Sequence, residues 1–136
     1  MKNRDQIILF LFSLTAFLVI DLLWLGIIAR DFYFEFLGDL LAVKTNWSAA
    51  FVFYFIYIIG ILHFSVIPSI KEEIRVMAFK NGAFLGFLCY STFELTALAL
   101  LRNWPEGLVW IDILWGTVLT SVVAGMSYIF YMKLLK

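Results

Sequence analysis

The sequence predicts an all-α integral membrane protein: four transmembrane helices in an antiparallel bundle, with an extra interfacial helix between the first and second spans. Two observations carry this. Of 136 residues 64% are hydrophobic, 19% aromatic and only 15% charged, with mean hydropathy +0.98, so a water-soluble domain would lack the polar residues to cover its surface. The apolar residues also gather in four runs, Ile7 to Ala29, Ala49 to Ile67, Gly82 to Leu101 and Leu108 to Met132, of 23, 19, 20 and 25 residues. At about 1.5 Å rise per residue, each matches a hydrocarbon core of ~30 Å. A lipid bilayer is the expected surroundings, and residues 1–136 are expected to form a single four-helix transmembrane domain.

Lys2 and Arg4 precede the first run, as in a signal peptide, but the run is too long, contains Asp21 and lacks a small-residue exit, so it reads as a permanent span. In the following segment, "DFYFEFLGDLLAVKTN" (31–46), Phe32, Tyr33, Phe36, Leu37, Leu40 and Leu41 recur at helical spacing, while Asp31, Glu35 and Asp39 line another face. This predicts a helix lying in the outer interface with an acidic side toward water. Asn46-Trp47-Ser48 has the form of a glycosylation sequon but abuts the second span. Pro68 and "SIKEEIR" are expected to turn the chain between spans two and three, and "RNWPEG" (102–107) between three and four.

Of the ten Lys and Arg, seven fall on one side of the spans (Lys2, Arg4, Lys71, Arg75, Lys80, Lys133, Lys136) and three on the other (Arg30, Lys44, Arg102). The basic side should be cytoplasmic, which places both termini there in a multi-pass protein of the cytoplasmic (inner) membrane. Trp47, Trp104 and Trp110 then fall at the outer interface, where an indole is well accommodated. Cys89 is the only cysteine, which excludes an internal disulfide. Gly82 and Gly86, and Thr117, Ser121 and Gly125, form small-xxx-small patterns that bring helices close. A homodimer seamed along Gly82 and Gly86 is one expectation. His63, near the inner end of span two, reads as a hydrogen-bonded packing residue.

Three acids, Asp21, Glu94 and Asp112, lie within the spans, and no Lys or Arg joins them. Counted from the outer ends they are roughly 12, 10 and 6 Å deep. A charge at the centre of a span costs roughly 2.5–3.5 kcal/mol on insertion scales, so the three should turn inward and face one another. "DLLW" (21–24) and "DILW" (112–115) place Asp and Trp on one face of the first and fourth spans. Because the spans run oppositely, Asp21 is level with Trp115 and Trp24 with Asp112. A crossed pairing, each carboxylate accepting the opposite indole N–H, would satisfy both. Desolvation and mutual repulsion should leave at least one proton on the cluster at neutral pH. Tyr90, one turn before Glu94, and Thr96 are further polar neighbours, and Arg102 is the one basic side chain placed to reach down to Asp112 or Glu94.

Asp21-x-x-Trp24-Leu25-Gly26, "FYFEFLGDLL" (32–41), "NW" (46–47), "YSTFELT" (90–96) and "RNWP" with "DILWG" (102–105, 112–116) together resemble a bacterial membrane family known as domain of unknown function 2177. The resemblance covers nearly the whole chain and implies four membrane helices. In the third helix it implies Asp where this chain has Glu94. It brings no activity.

The candidate ligand-binding residues are therefore Asp21, Trp24, Tyr90, Glu94, Arg102, Asp112 and Trp115, with no metal site expected. Binding or transport of a cation or proton by the carboxylates, with Trp24 and Trp115 as cation–π faces, is the leading reading. An intramembrane lipid- or isoprenoid-modifying enzyme, or a subunit of one, and a structural or accessory membrane protein are the alternatives. No phosphate loop, thiol pair, H-E-x-x-H helix or basic nucleic-acid surface is present, so nucleic acid is not an expected partner.

Overall fold

A computed structural model describes residues 1–136, in which every regular element is helical. The first helix, α1 (Asn3–Ile28), is regular to Leu23 and then widens into a π-helical turn, Trp24–Ile28, where the Ala29 N–H reaches the Trp24 carbonyl at 2.7 Å. Gly26 sits in this turn, and glycine yields most readily to a break in the regular ladder. Such turns recur at functional positions, and this one begins at Trp24.

A short helix, α2 (Arg30–Leu37), follows, and Gly38 ends it at φ 42° and ψ −116°, a conformation open only to glycine. A single 3₁₀ turn, Gly38–Leu40, continues from it. The helix predicted over 31–46 is thus half that length. Asp39, Leu40 and Leu41 lie beyond the break, and the acidic stripe through Asp31 and Glu35 does not extend to Asp39.

The second long helix, α3 (Trp47–Glu72), is capped by Asn46, whose side-chain oxygen accepts the Ala49 N–H at 3.1 Å. That is the structural use of the Asn46-Trp47-Ser48 triplet. Of the stretch expected to turn the chain, Pro68 itself remains helical. A π-helical turn, Leu62–Val66, re-registers the helix just ahead of the proline, which has no N–H to donate, and α3 runs on to Glu72. The chain reverses at Glu73, at φ 57°, and Ile74, within the "SIKEEIR" stretch expected to turn it. There follow α4 (Arg75–Leu100) and, after a tight connection through Asn103 at φ 59°, α5 (Glu106–Leu134). The four long helices, 26, 26, 26 and 29 residues, are each long and apolar enough to cross a bilayer.

Helices α4 and α5 are the tightest pair. A Cβ added at Gly86 would lie 2.3 Å from the Gly116 carbonyl oxygen, and one at Gly82 2.8 Å from the Ala124 Cβ. The Gly82/Gly86 seam expected to join two copies is therefore filled by α5 of the same chain. Gly116 and Gly125 accept the rings of Tyr90 and Phe79, and Ser121 Oγ donates to the Phe79 carbonyl at 2.9 Å. Thr117 instead bonds back to Ile113 in its own helix.

Helix α1 packs on α5 through the Ser13–Ser127 hydroxyl pair, 2.7 Å apart, and the Phe12–Phe130 stack. Helix α3 leans on α1 through Phe10–Phe55 and Phe17–Tyr54, and is tied to α4 where Ser65 Oγ donates to the Ala78 carbonyl at 2.7 Å. Further toward Trp47, α3 and α4 meet edge to face at Tyr57 and Tyr90 and then part. His63 is exposed, edge-on to Phe64, and makes no hydrogen bond, unlike the packing residue expected. It borders a separate groove between α1 and α3.

Candidate functional site

Asp21, one turn short of the π-helical turn of α1, is 6% exposed. Both carboxylate oxygens are engaged: Trp115 Nε1 donates to Oδ1 and the Tyr54 hydroxyl to Oδ2, each at 3.3 Å. One half of the crossed arrangement read from "DLLW" and "DILW" thus has the anticipated geometry. The other half differs. Trp24 Nε1 donates to the Tyr33 hydroxyl at 3.4 Å, and that hydroxyl donates to Asp112 Oδ1. Tyr33 has been inserted between indole and carboxylate. The π-helical turn brings the chain straight into α2, and α2 is seated on α5 both by Tyr33 and by Phe36, whose ring lies where a Gly107 Cβ would be. Burial foremost, and then the Asp112 carboxylate, push the Tyr33 phenol above its ordinary range, so it remains a neutral donor.

Between the two aspartates the indoles of Trp24 and Trp115 stack at 4.3 Å with 9° between planes. Each indole therefore has one face covered by the other.

Glu94 on α4 is 1% exposed and accepts the Trp104 indole N–H at 2.9 Å. Its carboxyl neighbours that of Asp112, and Asp21 lies within Coulombic range of Asp112. The acids of α1, α4 and α5 are thus brought to one region, without forming a group of three ligands that could hold a metal ion. Arg102 does not reach them: it is exposed and forms no ion pair. Its place is taken by Trp104, because Pro105 starts α5 and turns the preceding residue back over the end of α4. Thr96 is exposed on another face, in a shallow surface hollow bordered by Leu100.

Where α3 and α4 part, a cavity of about 380 Å³ remains, lined by Phe53, Tyr57, Cys89, Tyr90, Phe93 and Asp112. Tyr90 packs over Gly116, and Tyr57 is fixed by a 2.7 Å hydroxyl contact with Thr120. Phe53 (45% exposed), Phe93 (59%) and Cys89 form the open side. In a bilayer that side faces acyl chains.

The model of the family described as "predicted membrane protein (DUF2177)" matches residues 6–129. The chain belongs to the DUF2177 family. No curated protein and no solved structure was found to match it. Within this DUF2177 chain the family match spans all three intramembrane acids and their aromatic donors. Three of those donors, Tyr33, Tyr54 and Trp104, escape a reading of the spans alone. Tyr33 carried a signal, being the only hydroxyl on the apolar face of the 31–37 stretch. For Tyr54 and Trp104 there was none, since their depth and direction depend on how α3 tilts and how the 101–105 turn folds.

Proposed function

We propose that the protein binds a proton or a monovalent cation at its intramembrane carboxylates, and that exchange of the one for the other is its basic activity. One observation carries this: Asp21, Glu94 and Asp112 sit inside apolar helices with only neutral donors, Trp115, Tyr54, Trp104 and Tyr33, for partners. Phenols and indoles orient carboxylates and ease their burial, but they do not neutralise them. Unbalanced charge at this depth is costly, so a proton or a bound cation completes the site. The 7:3 distribution of Lys and Arg supports cytoplasmic termini in an inner membrane, with the acids in the outer half and α2 resting in the outer interface.

Infrared titration of the protein in nanodiscs tests the proposal through the C=O stretch of protonated carboxyls. The band is expected at neutral pH, reduced in Asp21→Asn and in Asp112→Asn, and reduced when a monovalent cation is added. Fully ionised carboxyls without added cation refute the reading. A protonated band that no cation alters assigns the acids to helix packing instead.

A further inference from the structure

The cleft between α3 and α4 deepens this reading by naming what displaces the proton. We propose that it is the seat of a lipophilic onium cation, a quaternary ammonium or phosphonium, that enters sideways from the bilayer and comes to rest against Asp112. The inference rests on the carboxylates accepting a monovalent cation, and adds the class of cation and its route.

Three features select that class. The lining consists of four aromatic rings (Phe53, Tyr57, Tyr90 and Phe93), the Cys89 thiol and a single carboxylate, Asp112. Aromatic faces attract a cation most strongly where water is excluded, and they suit a diffuse charge clothed in carbon. A small metal ion would need several oxygen ligands, and no three ligating side chains converge here. The cavity, about 380 Å³, lies within the roughly 300–1,000 Å³ usual for small-molecule sites.

The route follows from what covers each side. Toward the chain's α2 end, Tyr33 bonds Asp112 and Phe36 packs on Gly107, so α2 lies over the carboxylate. Toward the opposite end, the Tyr57–Tyr90 contact and the Ser65–Ala78 bond close α3 onto α4. The remaining opening is the gap between the two helices, rimmed by exposed Phe53, Cys89 and Phe93. A hydrated ion does not travel that way; a cation soluble in lipid does. The ionisable groups around Asp112 are Asp21 from α1, Tyr33 from α2, Tyr54 and Tyr57 from α3, and Cys89, Tyr90 and Glu94 from α4. None is basic, so nothing in the protein competes with a bound cation.

The test uses the whole protein in nanodiscs with tetraphenylphosphonium, and tetraphenylborate as a probe of the same shape and opposite charge. Equilibrium dialysis should show saturable phosphonium binding that strengthens as pH rises, with no saturable borate binding. Asp112→Asn should weaken phosphonium binding by roughly tenfold or more, and Phe93→Ala by several-fold. Wild-type protein supplies a readout free of folding effects: bound phosphonium should slow N-ethylmaleimide alkylation of Cys89, the only thiol, and borate should not. Equal binding of both ions, or phosphonium that leaves Cys89 alkylation unchanged, overturns the cleft assignment. If the infrared band nonetheless shows a retained proton that a different cation displaces, the cleft alone is wrong. If the carboxyls are fully ionised without added cation, the proton-exchange reading itself is wrong.

Discussion

Tyr33 donates its hydroxyl hydrogen to Asp112, a residue 79 positions later, and so fastens the short helix after the first span to one of three carboxylates inside the bundle. The same hydroxyl receives the Trp24 indole N–H. One side chain thereby links α1, α2 and α5.

Tyr33→Phe should release α2 while leaving the four long helices in place. A hydrogen bond to a charged acceptor contributes about 1.5–3 kcal/mol, so thermal unfolding in detergent should show a loss of that order. Amide exchange over residues 30–37 should accelerate. The pH dependence has a definite sign. The folded phenol titrates above its unfolded value, so its contribution is fully present below the unfolded pKa of about 10 and is lost as pH rises through the folded one. Titration of the phenol should therefore not shrink the difference between wild type and Tyr33→Phe anywhere from neutral pH up to about 10. Unchanged exchange in α2, or a difference that has already shrunk near pH ~8, contradicts the latch.

Gly86→Ala and Gly60→Ala should move stability in opposite directions. A Cβ at Gly86 would lie 2.3 Å from the Gly116 carbonyl oxygen, a backbone atom that cannot step aside, whereas one at Gly60 meets nothing within 4 Å. Overpacking of this kind costs about 1–3 kcal/mol. Relief of glycine's backbone entropy at Gly60 is worth up to about 1 kcal/mol. Melting temperatures in one detergent decide between them; equal effects at the two positions would show that α4 and α5 do not pack along this seam.

Much of this architecture was legible because bilayer thickness imposes run lengths that hydropathy reports directly, and because a buried acid must find a partner. Asp21 and Trp115 could be paired from "DLLW" and "DILW" alone, since two antiparallel helices place equal depths opposite. The Trp24 side could not. A π-helical turn starting at that residue and a helix ended by Gly38 bring Tyr33 into the gap, and hydropathy carries no trace of either. Charge alone points to Arg102 for the place that Trp104 fills, because the turn that Pro105 imposes is not visible in charge. Gly82 and Gly86 announced a close helix contact, yet the pattern is the same whether the partner is α5 or another copy.

The Trp24–Trp115 stack, 4.3 Å apart and 9° from parallel, should couple the two indole transitions. Near-ultraviolet circular dichroism of the wild type should carry a component lost equally in Trp24→Phe and Trp115→Phe. Only Trp115→Phe should also remove the N–H that Asp21 accepts and so shift the infrared carboxyl bands. A dichroism spectrum insensitive to either substitution would show that the rings do not stack.

Sidedness can be read in a Cys89→Ala background, which removes the only native thiol. A cysteine at Asp39 lies just past the Gly38 break, outside any span, and one at Lys136 lies at the far end of α5. With seven of the ten basic residues on the side of the termini, the insertion bias should direct that side to the cytoplasm. In intact cells a membrane-impermeant maleimide should therefore label Asp39→Cys and spare Lys136→Cys until the membrane is opened. The Lys136–Glu73 ion pair joins the C-terminus to the α3–α4 turn, so Glu73→Cys should share the protection of Lys136→Cys. Labelling of Lys136→Cys in intact cells would invert the assignment and place the carboxylates in the inner half; the cleft between α3 and α4 would then admit its cation from the inner leaflet.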